Sequence, residues 1–178
     1  MSNIMQIYDY SPELLQNILS VIDRKAERDL TERIVRYFID AGLTVKVKHI
    51  FYDKPWAYFR VMCYIKKSAE AVIINTKTDL GKEGVVDGMA FQLRISNTKT
   101  FEELDKLSEN VRNQIVNAND CGYCSAKCEG KRHTFSYNGT DHVKCHFICS
   151  NFRFADISEI DIASIMAIIK NEFDKIKK

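Results

Sequence analysis

The chain of 178 residues has little proline and glycine, two and seven residues respectively, and only one tryptophan. It also has little excess charge, since 26 lysine and arginine residues stand against 24 acidic residues, a formal net charge of +2. With 46% hydrophobic and 28% charged residues, the composition is that of a globular protein. This excludes a disordered tail, a fibrous protein and a low-complexity linker, and the small net charge favours no class of partner.

Long apolar runs are missing as well. The first ten residues lack the basic start and the apolar stretch of a secretory signal. No segment approaches the roughly 20 consecutive apolar residues that a membrane helix needs. We therefore expect a cytoplasmic protein that does not associate with membranes. In that reducing compartment, clustered cysteines serve more often as metal ligands or redox groups than as disulfides.

Common catalytic signatures are also missing. The sequence contains no phosphate-binding glycine loop, dinucleotide fingerprint, nucleophile elbow, His-Glu-x-x-His motif or EF-hand loop. No pair of carboxylates stands out as an acid–base couple, so we assign no catalytic residue. The sequence favours a function in binding over an enzymatic one.

The periodicity of apolar residues predicts an α+β fold. The expected order is two N-terminal helices, a four-stranded antiparallel sheet, a third helix, a cysteine-rich β-hairpin and a C-terminal helix. We expect one domain, residues 1–178, with a cysteine-rich insert at 120–154. The insert is too small to hold a core alone, so it must pack on the sheet or be held by something that it binds.

Local signals place several of these boundaries. Ser11 and Pro12 predict the start of the first helix, and Gly42 predicts the end of the second. Thr100 and Glu103 form a capping box that predicts the start of the third helix. The second and last helices are predicted at 25–40 and 158–175, the strands at 45–51, 59–65, 71–75 and 89–96, and a polar loop at 76–88.

The sequence does contain six cysteines, and five of them lie between Cys121 and Cys149. Three of these fall within eight residues, in a polar stretch that can bend sharply, and a pair follows sixteen residues later. Zinc takes four nitrogen or sulfur ligands in a tetrahedron, which closely spaced cysteines can supply. We therefore predict a structural zinc site whose ligands come from Cys121, Cys124, Cys128, Cys145 and Cys149. The sixth, Cys63, falls on the apolar face of a strand pattern and is predicted to be a core residue.

The choice of fourth ligand depends on a hairpin. Asn138-Gly139 is a strong two-residue turn signal, and with this turn Arg132 pairs with Cys145. On a straight strand Cys145 and Cys149 lie about 13 Å apart, whereas two sulfurs on one metal lie within about 4 Å of each other. Either the chain turns between them or only one is a ligand. The metal would then connect the end of the third helix to the hairpin.

Other functions use the same segment. An iron–sulfur cluster can take three close cysteines and a distant one, although no ferredoxin-like spacing is present. Cys121 and Cys124 suit a thiol-based redox or metal-responsive protein, but they follow a helix C-terminus, where the dipole does not lower a thiol pKa. Interleaved basic and aromatic residues in 121–153 are compatible with a nucleic-acid-binding module. We expect the histidines of this segment, His133, His142 and His146, to lie beside the metal ligands or on the surface and not to bind the ion themselves.

Aromatic residues also surround the first predicted hairpin. If helices leave one face of the sheet uncovered, these rings can line a pocket for a small molecule. Core packing is their more common role, and the same holds for His49 in the neighbouring strand. The residues concerned are Tyr52, Trp56, Tyr58 and Tyr64.

Overall fold

The computed structural model describes residues 4–51, 58–66, 69–79, 85–86, 88–95, 97–118, 132–145 and 151–174. They form a mixed α+β protein, as predicted, and no helix in these ranges is long and apolar enough to cross a membrane. The helices are α1 (Pro12–Ser20), α2 (Lys25–Asp40), α3 (Thr98–Glu102), α4 (Glu109–Val116) and α5 (Glu159–Phe173). The strands are β1 (Ile4–Asp9), β2 (Thr44–Phe51), β3 (Tyr58–Lys66), β4 (Ala69–Asn75), β5 (Thr78–Asp79), β6 (Val85–Val86), β7 (Ala90–Arg94), β8 (Arg132–Tyr137), β9 (Thr140–Cys145) and β10 (Asn151–Phe154).

The main sheet has six strands in the described ranges, in the order β1-β2-β3-β4-β7-β10. The prediction of four strands was therefore wrong. The additional strands are β1 and β10, at the two edges. The side chains of residues 6–9 of β1 are exposed on both faces of the sheet. Their sequence therefore does not alternate between apolar and polar residues, which is the pattern that identifies a half-buried strand. The predicted loop at 76–88 also contains the short pair β5–β6.

The chain divides into two compact units. The first unit comprises residues 1–91 and 155–158, and the second comprises 92–154 and 159–178. The expected single domain with an insert at 120–154 stays a prediction.

In the first unit, helix α1 begins and helix α2 ends where local chemistry predicts. The Ser11 hydroxyl accepts a hydrogen bond from the backbone N–H of Leu14 at 3.1 Å, and Pro12 occupies the first turn. Helix α2 covers the predicted range and is followed by Gly42 at φ +69°, the left-handed conformation that ends helices with little strain in glycine. The backbone N–H of Leu43 then donates to the carbonyl of Phe38.

The sheet of the first unit is an antiparallel meander, with β2 paired to β1 and β3, and β3 paired to β4. Strand β3 is buried on both faces at its centre, since Val61, Met62 and Cys63 are all almost inaccessible to solvent. The prediction that Cys63 is a core residue is confirmed. Burial raises the pKa of its thiol far above the ordinary value, so Cys63 stays protonated and chemically inert.

In the second unit, the predicted third helix is interrupted. The cap of helix α3 is Asn97, three residues before the expected cap at Thr100, and its side chain accepts a hydrogen bond from the backbone N–H of Lys99. A 3₁₀ turn (Leu104–Lys106) follows, and α4 begins after Ser108. The Ser108 hydroxyl donates to the buried carboxylate of Asp161 on α5 at 2.6 Å. A tertiary hydrogen bond therefore connects the start of α4 to α5, and the predicted capping box at Thr100 was wrong.

Candidate functional site

A cleft of about 790 Å³ opens in the first unit. One wall is the junction between α1 and α2, and another is formed by the adjoining ends of β2, β3 and β4. Tyr58 and Phe59 are consecutive residues of β3, so the cleft opens at the end of the strands and not over one flat face. Its described lining residues are Val21, Ile22, Asp23, Arg24, Glu27, His49, Tyr58, Phe59, Thr76, Lys77, Gly88, Met89 and Asp156.

A buried carboxyl group lies in the helical wall. The side chain of Glu27 is only 5% exposed and accepts a hydrogen bond from Arg24 Nη1 at 3.1 Å. Burial is the largest influence on this group and raises its pKa, the guanidinium of Arg24 lowers it, and Asp156 and Asp23 raise it further. Because the net shift is upward, the ion pair with Arg24 only partly offsets removal of the carboxyl group from water.

Arg24 also joins the α1–α2 junction to residues 156–157 of the same unit. Its Nη1 lies 3.2 Å from the carboxylate of Asp156, and its Nη2 donates to the carbonyl of Ile157 at 3.2 Å. The Asp156 side chain is 92% exposed, so that ion pair contributes little, in the range of 0–1 kcal/mol typical of surface pairs. The bonds to Glu27 and Ile157, which are less exposed, hold the guanidinium in place.

The strand wall is aromatic. The rings of His49 and Phe59, which are paired across β2 and β3, are stacked with centroids 4.4 Å apart and planes inclined by 19°. Burial lowers the pKa of His49, which favours the neutral imidazole at neutral pH. Thr76 closes this side by exchanging hydrogen bonds with the backbone of Phe59. The cleft can thus offer flat rings on one side and charged groups on the other.

The sequence identified this site only in part. Among the four aromatic residues named as pocket candidates, Tyr58 lines the cleft, Tyr64 instead bonds to Glu70, and Tyr52 and Trp56 lie outside the described residues. Arg24, Glu27 and Asp156 were missed. One signal was available, because Glu27 continues the apolar stripe of α2 at helical spacing through Leu30, Ile34 and Phe38.

The predicted zinc ligands are mostly not described. Cys121, Cys124, Cys128 and Cys149 lie outside the described residues, and so does His146. Cys145 is described only in its backbone, which ends β9. In the described ranges, no group of three or more His, Cys, Asp or Glu residues could hold a metal ion. The zinc site therefore stays a prediction.

The hairpin beside that segment does have the predicted turn. In β8 and β9, Arg132 pairs with Cys145. The two turn residues, Asn138 and Gly139, have φ values of +49° and +77°, the left-handed conformations that a two-residue hairpin turn requires. The hairpin register at Cys145 is therefore confirmed.

A buried lysine links this hairpin to the preceding helix within the second unit. Lys144 is 1% exposed, and its Nζ donates to the carbonyl of Val116 at 3.0 Å and to that of Ala118. These carbonyls lie at the C-terminal end of α4, where helix groups lack partners within the helix and a cation is favoured. The end of α4 and the strand of Cys145 are thus held together by the protein itself.

Aromatic packing uses the same hairpin face. Phe135 stacks on Phe101 with centroids 4.9 Å apart and on His142 with centroids 5.3 Å apart. Phe152 and Phe154 are buried. These aromatic residues and Lys144 take part in packing within the second unit. Among the described residues on which the nucleic-acid-binding alternative depends, Arg153 is exposed.

Comparisons with known proteins do not assign this site. Searches against family models, curated proteins and solved structures find no match. The chemistry of the cleft and of the hairpin anchor is therefore the basis for any function proposed for the chain.

The raised pKa of Glu27 predicts a pH-dependent stability. A folded-state pKa above the ordinary value of 4.5 means that the folded chain holds this proton more tightly than the unfolded chain. As the pH rises from that value towards neutrality, the free energy of unfolding of the wild type should fall relative to that of Glu27→Gln. Urea denaturation across this range measures the difference, with Glu13→Gln on the exposed face of α1 as the control. A difference that does not vary with pH would contradict the prediction.

The Lys144 anchor predicts a loss of stability on truncation. Lys144→Met keeps much of the side-chain volume but leaves two carbonyls without their donor, which should cost about 1–3 kcal/mol in the free energy of unfolding. Hydrogen exchange should rise at the end of α4. Lys106→Met, at an exposed position, is the matched control and should change stability by less than about 0.5 kcal/mol. Equal effects of the two substitutions would show that the anchor is dispensable.

Proposed function

We propose that the chain acts by binding a small organic ligand in the cleft of the first unit. The observation that supports this is the convergence of a buried carboxyl group, Glu27, and a stacked aromatic pair, His49 and Phe59, in one cavity. Ligand pockets are typically about 300–1,000 Å³, with apolar walls and a few polar groups that orient the ligand. The cleft has this size, and its lining combines apolar and aromatic side chains with charged groups.

The arrangement supports binding over catalysis. Arg24 is bonded to Glu27, Asp156 and Ile157, and Thr76 is bonded to the backbone of Phe59. These hydrogen bonds fix the wall of the cavity before a ligand arrives, which reduces the entropy cost of binding.

A fragment screen observed by NMR tests this function. A library that covers all charge types should contain small molecules that shift the signals of cleft residues such as Thr76 and the Met89 methyl group. Met166 on α5 serves as an internal reference, since it does not line the cleft. Val21→Trp, at the exposed rim of the cleft, should obstruct binding, while Ile160→Trp, also exposed and apolar but in the second unit, should not. Shifts that are unaffected by Val21→Trp would contradict the proposal.

A second proposal concerns the cysteines. We propose that Cys121, Cys124 and Cys128, with one of Cys145 or Cys149, hold a structural zinc ion. The specific observation in its favour concerns residues 119–131, which contain the first three cysteines. The residues at both ends of this segment, Ala118 and Arg132, are held close to Cys145. Ala118 accepts from Lys144, and Arg132 pairs with Cys145.

Chain length is consistent with this arrangement. An extended chain spans up to about 3.5 Å per residue, so Cys121 can lie up to about 10 Å from Ala118, and Cys128 up to about 14 Å from Arg132. Ala118 is bonded to Lys144, the neighbour of Cys145 in β9, and Arg132 pairs with Cys145 itself. The segment is therefore long enough to bring its three thiols to the end of β9.

Metal analysis tests the zinc proposal. Protein purified without added metal should contain about one zinc per chain, as expected for a four-cysteine structural site. Cys124→Ser should remove it, and Cys63→Ala, at the buried core cysteine, should retain it. Comparing Cys145→Ser with Cys149→Ser identifies the fourth ligand. Metal-free protein with a thiol that titrates below about 8.5 would instead favour the redox alternative, and visible absorption would favour an iron–sulfur cluster.

A further inference from the structure

The charge of the cleft is unbalanced. Its described lining includes the carboxyl groups of Asp23, Glu27 and Asp156, against the cations Arg24 and Lys77. With His49 neutral, this is a formal charge of −1. The carboxyl groups lie close enough to one another that Asp23 and Asp156 both act on Glu27 through space. An incoming anion would be repelled by this side of the cavity.

Arg24 does not offset this imbalance for a ligand. Its Nη1 is shared by Glu27 and Asp156, and its Nη2 donates to the carbonyl of Ile157. Because the guanidinium donates to three acceptors within its own unit, its role is to stabilise that unit. An anionic ligand would have to displace one of these acceptors, and displacing Glu27 would leave a buried carboxyl group without its partner.

The opposite wall favours positive charge as well. The stacked rings of His49 and Phe59 line this wall, and the face of an aromatic ring carries partial negative charge that attracts organic cations within about 6 Å. Neutral His49 adds no repulsion. Ile22 and Met89 add apolar side chains to the lining.

From this geometry we infer that the cleft is selective for an organic cation, a protonated amine joined to an apolar or aromatic body. The ammonium group lies beside the carboxyl groups of Glu27 and Asp23, and the body lies along Phe59 and Met89. This inference rests on the proposed small-ligand function of the cleft and adds the chemical class of the ligand.

Two probes of similar shape and opposite charge test it. 2-Phenylethylamine and 3-phenylpropionate each carry a phenyl ring on a short chain, so they differ mainly in the sign of the charge. In NMR titrations of the full chain, the amine should bind at least about tenfold more tightly than the carboxylate, and added salt should weaken its binding. Binding of the carboxylate as tightly as the amine would overturn the inference.

Charge-removing variants locate the interaction. Glu27→Gln should weaken amine binding by about tenfold, as expected when one charge-assisted hydrogen bond is lost, and should leave carboxylate binding no weaker. Asp23→Asn, at an exposed position that does not threaten the fold, should weaken it to a smaller extent. Glu13→Gln is the matched control and should have no effect. Circular dichroism establishes that each variant is folded.

The outcomes distinguish the proposed selectivity for an organic cation from the proposed small-ligand function of the cleft. Unchanged amine affinity in both Glu27→Gln and Asp23→Asn would overturn the assignment of an organic cation while leaving a small-ligand cleft in place. If probes of every charge leave the signals of Thr76 and Met89 unshifted, the cleft is not a ligand site, and both proposals fail.

Discussion

The burial of the Glu27 carboxyl group is the constraint on which the cleft of the first unit depends. A carboxyl group removed from water is strongly destabilising unless it is protonated or paired. Here Arg24 supplies the partner, and its remaining donor reaches the carbonyl of Ile157, more than 130 residues along the chain. One electrostatic requirement therefore fixes the α1–α2 junction, the residues at 156–157 and the polar wall of the cavity. An apolar residue in place of Glu27 would leave Arg24 without this anchor.

The second unit also contains a buried charged group that needs partners, and here the charge is positive. The ammonium group of Lys144 replaces water at the carbonyls that end α4. The sequence suggested that a metal would connect this helix to the hairpin, but the connection already exists in the protein. If zinc binds nearby, it adds to an arrangement that the backbone and Lys144 have organised, so metal removal should loosen the cysteine segment more than the hairpin itself.

Elements specified by neighbouring residues could be predicted from the sequence. Ser11-Pro12, Gly42 and Asn138-Gly139 each set a boundary through their own backbone chemistry, and the structure agrees at all three. Prediction failed where the position of an element depends on a group that is distant in sequence. The start of α4 at Ser108 is bonded to Asp161 on α5, and β1 is recognised only by its pairing with β2. The cleft was largely missed for the same reason, because its charged groups come from segments that are far apart in sequence and share no motif.

The division of the chain between the two units determines which gene fragments encode the complete cleft. Residues 155–158 belong to the first unit although the residues on both sides belong to the second. A gene fragment ending at residue 91 would encode most of the cleft but lack Asp156 and the carbonyl of Ile157 that Arg24 requires. Transfer of residues 1–91 alone would therefore not carry the complete cleft to another protein. A fragment that extends through residue 158 would carry it, but only together with residues 92–154 of the second unit.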